Sequence, residues 1–263
     1  MLILKIGGGR NINLDGVADD LAAHRGPVII VHGANAWRDA LAEKLGIHLE
    51  TVTSVRGYDS VFSDDAALDV LMMAYAGLRN KRIVEALQCR NIHAVGLTGL
   101  DGRTIQGKSN SGIKCRQGEK IIIRRDHSGK PQTLNIHLLG LLTANGYVPV
   151  LTVPIADEDG NAISADNDDI VTALHRALHA DTVVSLLEAP GFLADPEDPA
   201  SIIPRMTHAD VNQWEERSSG RVKRKLHAIN RLLEAHSTRV VLADGRTAHP
   251  LRAALAGEGT VIG

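Results

Sequence analysis

Short, mainly apolar runs alternate along this chain with longer stretches in which apolar residues recur every three or four positions. Leu2–Ile6 is the first apolar run, and it ends in Gly7-Gly8-Gly9. Residues 13–25 have amphipathic helical spacing, with Asn13 and Asp15 near the start. Residues 27–31 form a β-branched run, the mark of a buried strand. His32-Gly33-Ala34-Asn35 then turns into a helix reaching about residue 45. Asp64 stands where it can cap a long helix to about residue 88, and residues 92–97 make the next strand. Apolar strands linked by helices predict a parallel sheet with right-handed crossovers.

The middle of the chain breaks this rhythm. Between 102 and 133, short alternating segments such as 120–125 are separated by Gly, Ser and Asn, which predicts hairpins on one edge of the sheet. A helix over 135–145 leads to a strand at 148–153. After the acidic stretch 156–169 come a helix to about 179 and the strand Thr182–Leu187. Residues 190–204 read as a loop rich in Pro and Asp. Helices follow at 207–216 and 221–235, then a strand at 239–243, the helix Pro250–Ala256 and the closing strand Thr260–Ile262. We expect a single domain over 1–263, with an N-lobe of about 1–178 and a C-lobe of about 179–263.

Composition narrows the class. Hydrophobic residues make up 44% but aromatics only 3%, so Val, Ile, Leu and Ala must build the core. No apolar run approaches the ~18 residues of a membrane span, and Met1 to Ile6 lack the basic start of a signal peptide. A cytoplasmic protein is expected. Cys89 and Cys115 are the only cysteines, which suits free thiols in a reducing compartment rather than a disulfide or zinc site. The net charge of −2 sets up no general field for nucleic acid or membrane. The charge is unevenly spread, however. Residues 103–130 hold eight Lys and Arg against Glu119 and Asp126, so this window carries +6 and the rest of the chain −8.

Four places offer chemistry. Gly7-Gly8-Gly9 after a strand exposes backbone N–H groups to an anion, with Lys5 adding a positive charge. His32-Gly33-Ala34-Asn35 before a helix is a second anion seat. Two such seats at neighbouring strand ends suit phosphoryl transfer to an acid, although each alone also fits an ordinary turn. The run Asn161 to Asp169 packs acids beside small residues ahead of a helix, where one Asp is an ordinary cap and another can orient lysines. Gly220-Arg221-Val222-Lys223-Arg224-Lys225 puts cations at a helix start against the macrodipole, which fits an anionic ligand or solvated surface lysines.

The order and spacing of these motifs, with Gly96-Leu97-Thr98-Gly99-Leu100-Asp101-Gly102 and Pro190-Gly191-Phe192-Leu193, resemble the amino acid kinase family over nearly the whole chain. Within it, the chain is similar to the N-acetylglutamate kinase branch, and most to enzymes that phosphorylate aminoadipate or glutamate held on a LysW-type carrier protein. Arg79-Asn80-Lys81-Arg82, the stretch 96–102, Asp126-His127-Ser128-Gly129-Lys130 and Ala243-Asp244-Gly245-Arg246 carry that closer likeness. The resemblance implies a three-layer αβα sandwich of the amino acid kinase/carbamate kinase kind. It implies Lys5 and Lys225 at the transferring phosphoryl group, Asp166 holding both lysines, and Gly7 and Gly8 donating to phosphate oxygens. It implies Leu187, Glu188, Gly191, Phe192 and Lys223 at ATP, with Mg²⁺ held mainly by the nucleotide phosphates and no metal site in the protein. Gly33, Ala34, Val61, Ala162 and Ser164 fall at acyl-substrate positions. A carboxylate is already ionised at pH 7, so no catalytic base is required.

Three of these acyl positions depart from the family pattern. Ala34 stands for a glycine, with a methyl expected to narrow the approach to substrate. Val61 stands where relatives place an Arg for the substrate α-carboxylate, with Arg56 nearby in sequence. Ala162 stands for an Asn, with Ser164 two residues on. Phosphoryl transfer is therefore expected to survive. The acceptor that the resemblance implies is aminoadipate or glutamate on a LysW-type carrier, in lysine/arginine-type biosynthesis, and another small acid is the alternative these departures leave open. Lys120, Arg124, Arg125 and Lys130 in the basic window suit an acidic carrier protein, or simply a solvated hairpin. Aromatic stacking residues are absent there, which argues against nucleic acid. A free-acid kinase such as acetylglutamate kinase, and a nucleotide-binding pseudokinase, remain the alternatives. A homodimer is expected, with the 64–88 helix as the candidate interface.

Overall fold

The computed structural model describes residues 1–55, 59–117 and 120–263. Arg56, Gly57, Tyr58 and Glu119 lie outside the described residues. Strand β1 (Leu2–Ile6), helix α1 (Leu14–Ala23), β2 (Val28–His32) and α2 (Asn35–Leu45) open the chain. A small pair, β3 (Thr51–Thr53) and β4 (Asp59–Val61), follows. Next come α3 (Asp65–Met72), a π-helical segment (Met73–Arg79) and α4 (Asn80–Gln88) as one rod, capped by Asp64 as its position predicts. Then come β5 (Ala94–Thr98), β6 (Ile105–Ser109), β7 (Ile113–Gln117), β8 (Lys120–Arg124), β9 (Gly129–Leu134), α5 (Ile136–Ala144), β10 (Val148–Thr152), β11 (Ile155–Ala156) and β12 (Ala162–Ile163). The rest comprises α6 (Asn167–Leu178), β13 (Thr182–Leu187), β14 (Arg205–Met206), α7 (His208–Arg217), α8 (Gly220–Ala235), β15 (Arg239–Asp244), α9 (Pro250–Ala256) and β16 (Thr260–Ile262).

Eight strands form the central sheet in the order β14-β16-β15-β13-β1-β2-β10-β5. From β15 to β5 every neighbour is parallel, and only β16 runs antiparallel to β15. The sheet crosses the expected lobe boundary unbroken, because β13 pairs with β1 along its length. The hairpins do not extend this sheet. β6, β9, β11 and β12 make their own four-stranded sheet, and β7 with β8 a separate ribbon.

Strand alternation divides the core into two halves. Ile3, Ile29, Val31, Leu151, Val183 and Leu242 face a layer that includes α2, α3, α6 and α8. Leu2, Leu4, Ile6, Ile30, Val150 and Val184 face α1, α4 and α9 on the other side. Three layers result. The rod from α3 to α4 packs its first turns in one half (Leu68, Leu71, Tyr75) and its last in the other (Ile83, Leu87).

A buried polar contact fixes where that rod meets the sheet. Asn80 donates from Nδ2 to the Val150 carbonyl at 2.9 Å and to His32 Nε2 at 3.1 Å. That contact leaves the His32 proton on Nδ1, facing the Gly33 carbonyl at 3.3 Å. Burial holds the His32 imidazole far down, at about 3, so it stays neutral. Replacing the amide with a hydrocarbon strands two buried acceptors. Asn80→Leu is expected to destabilise the fold by about 3 kcal/mol, read as a lower urea midpoint at unchanged slope.

Candidate active site

Lys5 shares a sheet face with Ile3, two residues before it, and so points toward α6 and α8. At the carboxyl end of β1 its Nζ meets the Asp168 carboxylate in a short ion pair. Lys225, on the second turn of α8, approaches the other Asp168 oxygen at 3.9 Å. Burial opposes ionisation of Asp168, but the Lys225 and Lys5 charges outweigh it and hold its carboxyl at about 2. Burial pulls Lys225 below the ordinary lysine range, against the attraction of Asp168.

The expectation that Asp166 holds the two lysines is therefore corrected to Asp168. Asp166 is the N-cap of α6, and its carboxylate accepts from the Asp168 N–H at 2.9 Å. A capping side chain is turned back onto its own helix, and the next carboxylate on the first turn is left for the lysines. Burial and the neighbouring Asp168 charge push the Asp166 carboxyl up. Arg224 stands 3.7 Å from Asp166 and donates to the Asp59 carbonyl of β4 at 2.9 Å, so it ties α8 to the β3–β4 pair. Arg231 pairs with Asp169 at 2.5 Å.

The two glycine turns cross backbone to backbone. A Cβ on Gly8 would lie 2.9 Å from the Asn35 nitrogen, and one on Gly33 would lie 3.0 Å from Gly8 Cα. Neither position has room for a side chain. The donors differ from those expected. Gly7 N–H is spent on the Leu186 carbonyl and Gly33 N–H on the Ile6 carbonyl, each at 3.0 Å, because the first residue past a parallel strand completes the ladder. The Ala34 N–H faces the Tyr75 hydroxyl. The N–H groups of Gly8, Gly9 and Asn35 have no acceptor among the described residues. They form the open anion seat at the start of α2.

A cleft of about 960 Å³ opens over this crossing. Of the residues singled out in the sequence, Lys5, Gly7, Gly8, Gly33, Val61, Lys130, Ser164, Asp166, Leu187, Glu188 and Lys225 line it. Five expected residues are placed elsewhere. Ala34 is fully buried with its methyl in the core, so it does not narrow the cleft. Ala162 pairs with Ala156 and packs on the same core, whereas Ser164, just past the end of β12, lines the cleft. Phe192 is buried edge-on against Trp214, with its N–H on Thr260 Oγ1 at 2.8 Å. Gly191 sits against Thr260 in the same turn, where a side chain would collide. Lys223 stands on the first turn of α8 outside the cleft lining.

The basic window becomes the hairpins at the cleft mouth. Lys114 and Lys130 line the cleft, while Lys120 and Arg125 are exposed beside it. Arg124 is committed elsewhere, to a two-pronged ion pair with Glu50 and to the face of Phe62 at 4.0 Å. A guanidinium held by a carboxylate and a ring offers a partner little further charge. Sequence reasoning missed Asp168, Arg224 and Asn35 as site residues. The signal for Asp168 was its place two residues after a capping Asp. Among the described residues no group of His, Cys, Asp or Glu can hold a metal ion. Also among the described residues, no helix is long and apolar enough to cross a membrane.

Known proteins resemble this chain in sequence and in fold. The model of the amino acid kinase family matches residues 1–244. A protein named "[LysW]-aminoadipate kinase" from Deinococcus radiodurans is 39% identical, over all of this chain and 91% of its own length. One of the same name from Thermus thermophilus is 36% identical over the whole of both chains. An "Acetylglutamate kinase" from Methanopyrus kandleri is 33% identical, again over both. Among solved structures, a Giardia carbamate kinase superposes with a TM-score of 0.68 at 13% identity, covering 99% of this chain and 97% of that one. An N-acetylglutamate synthase from Neisseria gonorrhoeae reaches 0.80 at 19%, over 99% of this chain and 58% of that one. From its first strand to the end of β15, this chain belongs to the amino acid kinase family.

Proposed function

We propose that this chain transfers the γ-phosphoryl group of ATP to the side-chain carboxylate of an acidic amino acid whose amino group is held on a small acidic carrier protein. The observation that carries the reading is the meeting of Lys5 and Lys225 over Asp168, beside the open N–H groups of Gly8, Gly9 and Asn35. Phosphoryl transfer needs positioned positive charge more than a protein nucleophile. One carboxylate oxygen of the acceptor attacks phosphorus, the bond to the ADP oxygen breaks, and an acyl phosphate leaves with no proton moved. The two lysines neutralise the equatorial oxygens, and Asp168 fixes their positions.

The C-lobe, from about 179, supplies the nucleotide side through Leu187 and Glu188. The N-lobe supplies the acyl side through Val61 and Ser164. The carboxylates on the first turn of α6 already face Lys5, Lys225, Arg224 and Arg231. Mg²⁺ therefore belongs to this reading as part of the nucleotide substrate, held by phosphate oxygens. The acceptor class is supported by the names of the relatives, and the carrier by the hairpin cations. Lys114 and Arg116 of β7 flank Ile121 and Ile123 of β8, which are 58% and 60% exposed, giving a basic and apolar face beside the cleft mouth. A cytoplasmic homodimer completes the reading, with exposed Met73 and Leu78 of the long rod at the interface.

Hydroxylamine trapping of acyl phosphate tests the activity directly. Product is expected with aminoadipate or glutamate loaded on the carrier. Product with free N-acetylglutamate instead would make this a free-acid kinase, and silence with every acid despite ATP binding would reject the reading. In the same assay Asp168→Asn is expected to lower kcat by roughly 100-fold. Asp166→Asn keeps a good cap and is expected to stay within about threefold of the parent. Reversing charge at Arg125 and Lys130 together is expected to raise KM for the loaded carrier about tenfold at low salt. KM for ATP should not follow, and equal loss of both would reject the carrier surface.

A further inference from the structure

The acceptor proposed above carries two carboxylates, one that reacts and one that remains on the α-carbon. A partly desolvated anion needs a cation or several donors. The β4 wall of the cleft provides none, since Ser60 and Val61 are uncharged, and Ser164 adds only a hydroxyl. Most cleft cations already have partners. Lys5 and Lys225 share Asp168, Arg231 pairs with Asp169, and Arg224 is held at Asp166 and the Asp59 carbonyl. Lys114 and Lys130 stand exposed on the hairpins at the mouth.

Arg38 differs from all of these. It lies on the first turns of α2, its side chain is only 15% exposed, and it lines the cleft. Its Nε and Nη2 both donate to a single oxygen of Asp39, at 2.9 and 2.7 Å, and Asp39 is itself 59% exposed. Nη1 finds no acceptor among the described residues, and half of the guanidinium fork is open. Asn35 is three residues earlier and shares its helix face. The Tyr75 hydroxyl donates to Asn35 Oδ1, which orients the amide so that Nδ2 is left to donate. Asn35 and Tyr75 line the same cleft.

We propose that Arg38, with the Asn35 amide beside it, is the receptor for the second carboxylate of the acceptor. Guanidinium and amide together supply a charge-assisted, two-donor grip one helical turn from the open N–H groups of the phosphoryl seat. Specificity for an α-amino acid over a simple monoacid is then set from α2, opposite Val61. The inference rests on the kinase reading for the identity of its ligand, but its test does not need the carrier or turnover.

The probes are N-acetyl-α-aminoadipate and N-acetyl-5-aminopentanoate, which differ only in the second carboxylate. Binding of each is measured by calorimetry in the presence of ADP and Mg²⁺. Wild-type protein is expected to prefer the dicarboxylate by about 10- to 100-fold. Arg38→Met should bring that ratio close to one, Arg38→Lys should restore part of it, and ADP affinity should be unchanged in both. A preference that survives Arg38→Met overturns the assignment. So does wild-type protein that binds the two probes equally, or binds neither. Trapping of acyl phosphate from a loaded carrier judges the kinase reading separately.

Discussion

Two lysine side chains are held within reach of one carboxylate, and much of the architecture serves that arrangement. Lys5 and Lys225 would repel each other without Asp168 between them. The trio carries a single net positive charge, which leaves it attractive to an anion while remaining stable without one. Each member comes from a different element, at the carboxyl end of β1, the start of α6 and the start of α8. The parallel sheet makes this possible, since it brings strand ends and helix starts to one rim. Asp166 then fixes the first turn of α6, and Arg224 ties α8 across to β4.

The rim divides into two kinds of wall. At the glycine crossing the open polar groups are main-chain N–H, and side chains are excluded by contact between backbones. Elsewhere in the cleft the lining includes side chains carried by α2, α3 and β4. The tyrosine at position 75 links the two, since its hydroxyl meets both the Ala34 N–H and the Asn35 side chain. Burial raises the Tyr75 phenol, so it remains a neutral donor and acceptor.

Much of this fold is legible in the sequence where local chemistry decides it. The runs at β1, β13 and β16 are apolar and bounded by breakers, and the helix Pro250–Ala256 starts at its proline. Asn13, Asp64, Asn135 and Asp166 announce helix starts through their capping side chains. The elements that escape are those made by distant pairing. β3 with β4, β11 with β12, and β14 are two or three residues long, and only partners elsewhere define them. The same holds for side chains. Lys5 and Lys225 are readable as charges at the ends of elements, but whether Asp166 or Asp168 meets them depends on a cap geometry two residues wide. Phe192 reads as a site aromatic beside Gly191, yet in a chain with few aromatics it is drawn to Trp214 in the core.

The crossing of the turns at Gly8 and Gly33 also constrains how such a protein can diverge. Each glycine closes on the backbone of the facing turn, so neither position can gain a side chain unless that turn moves. The groups presented there are main-chain atoms, which substitutions other than to proline leave unchanged in kind. Divergence that keeps the crossing therefore keeps its main-chain donors, and variation in the rest of the cleft falls to side chains such as those on α2 and β4.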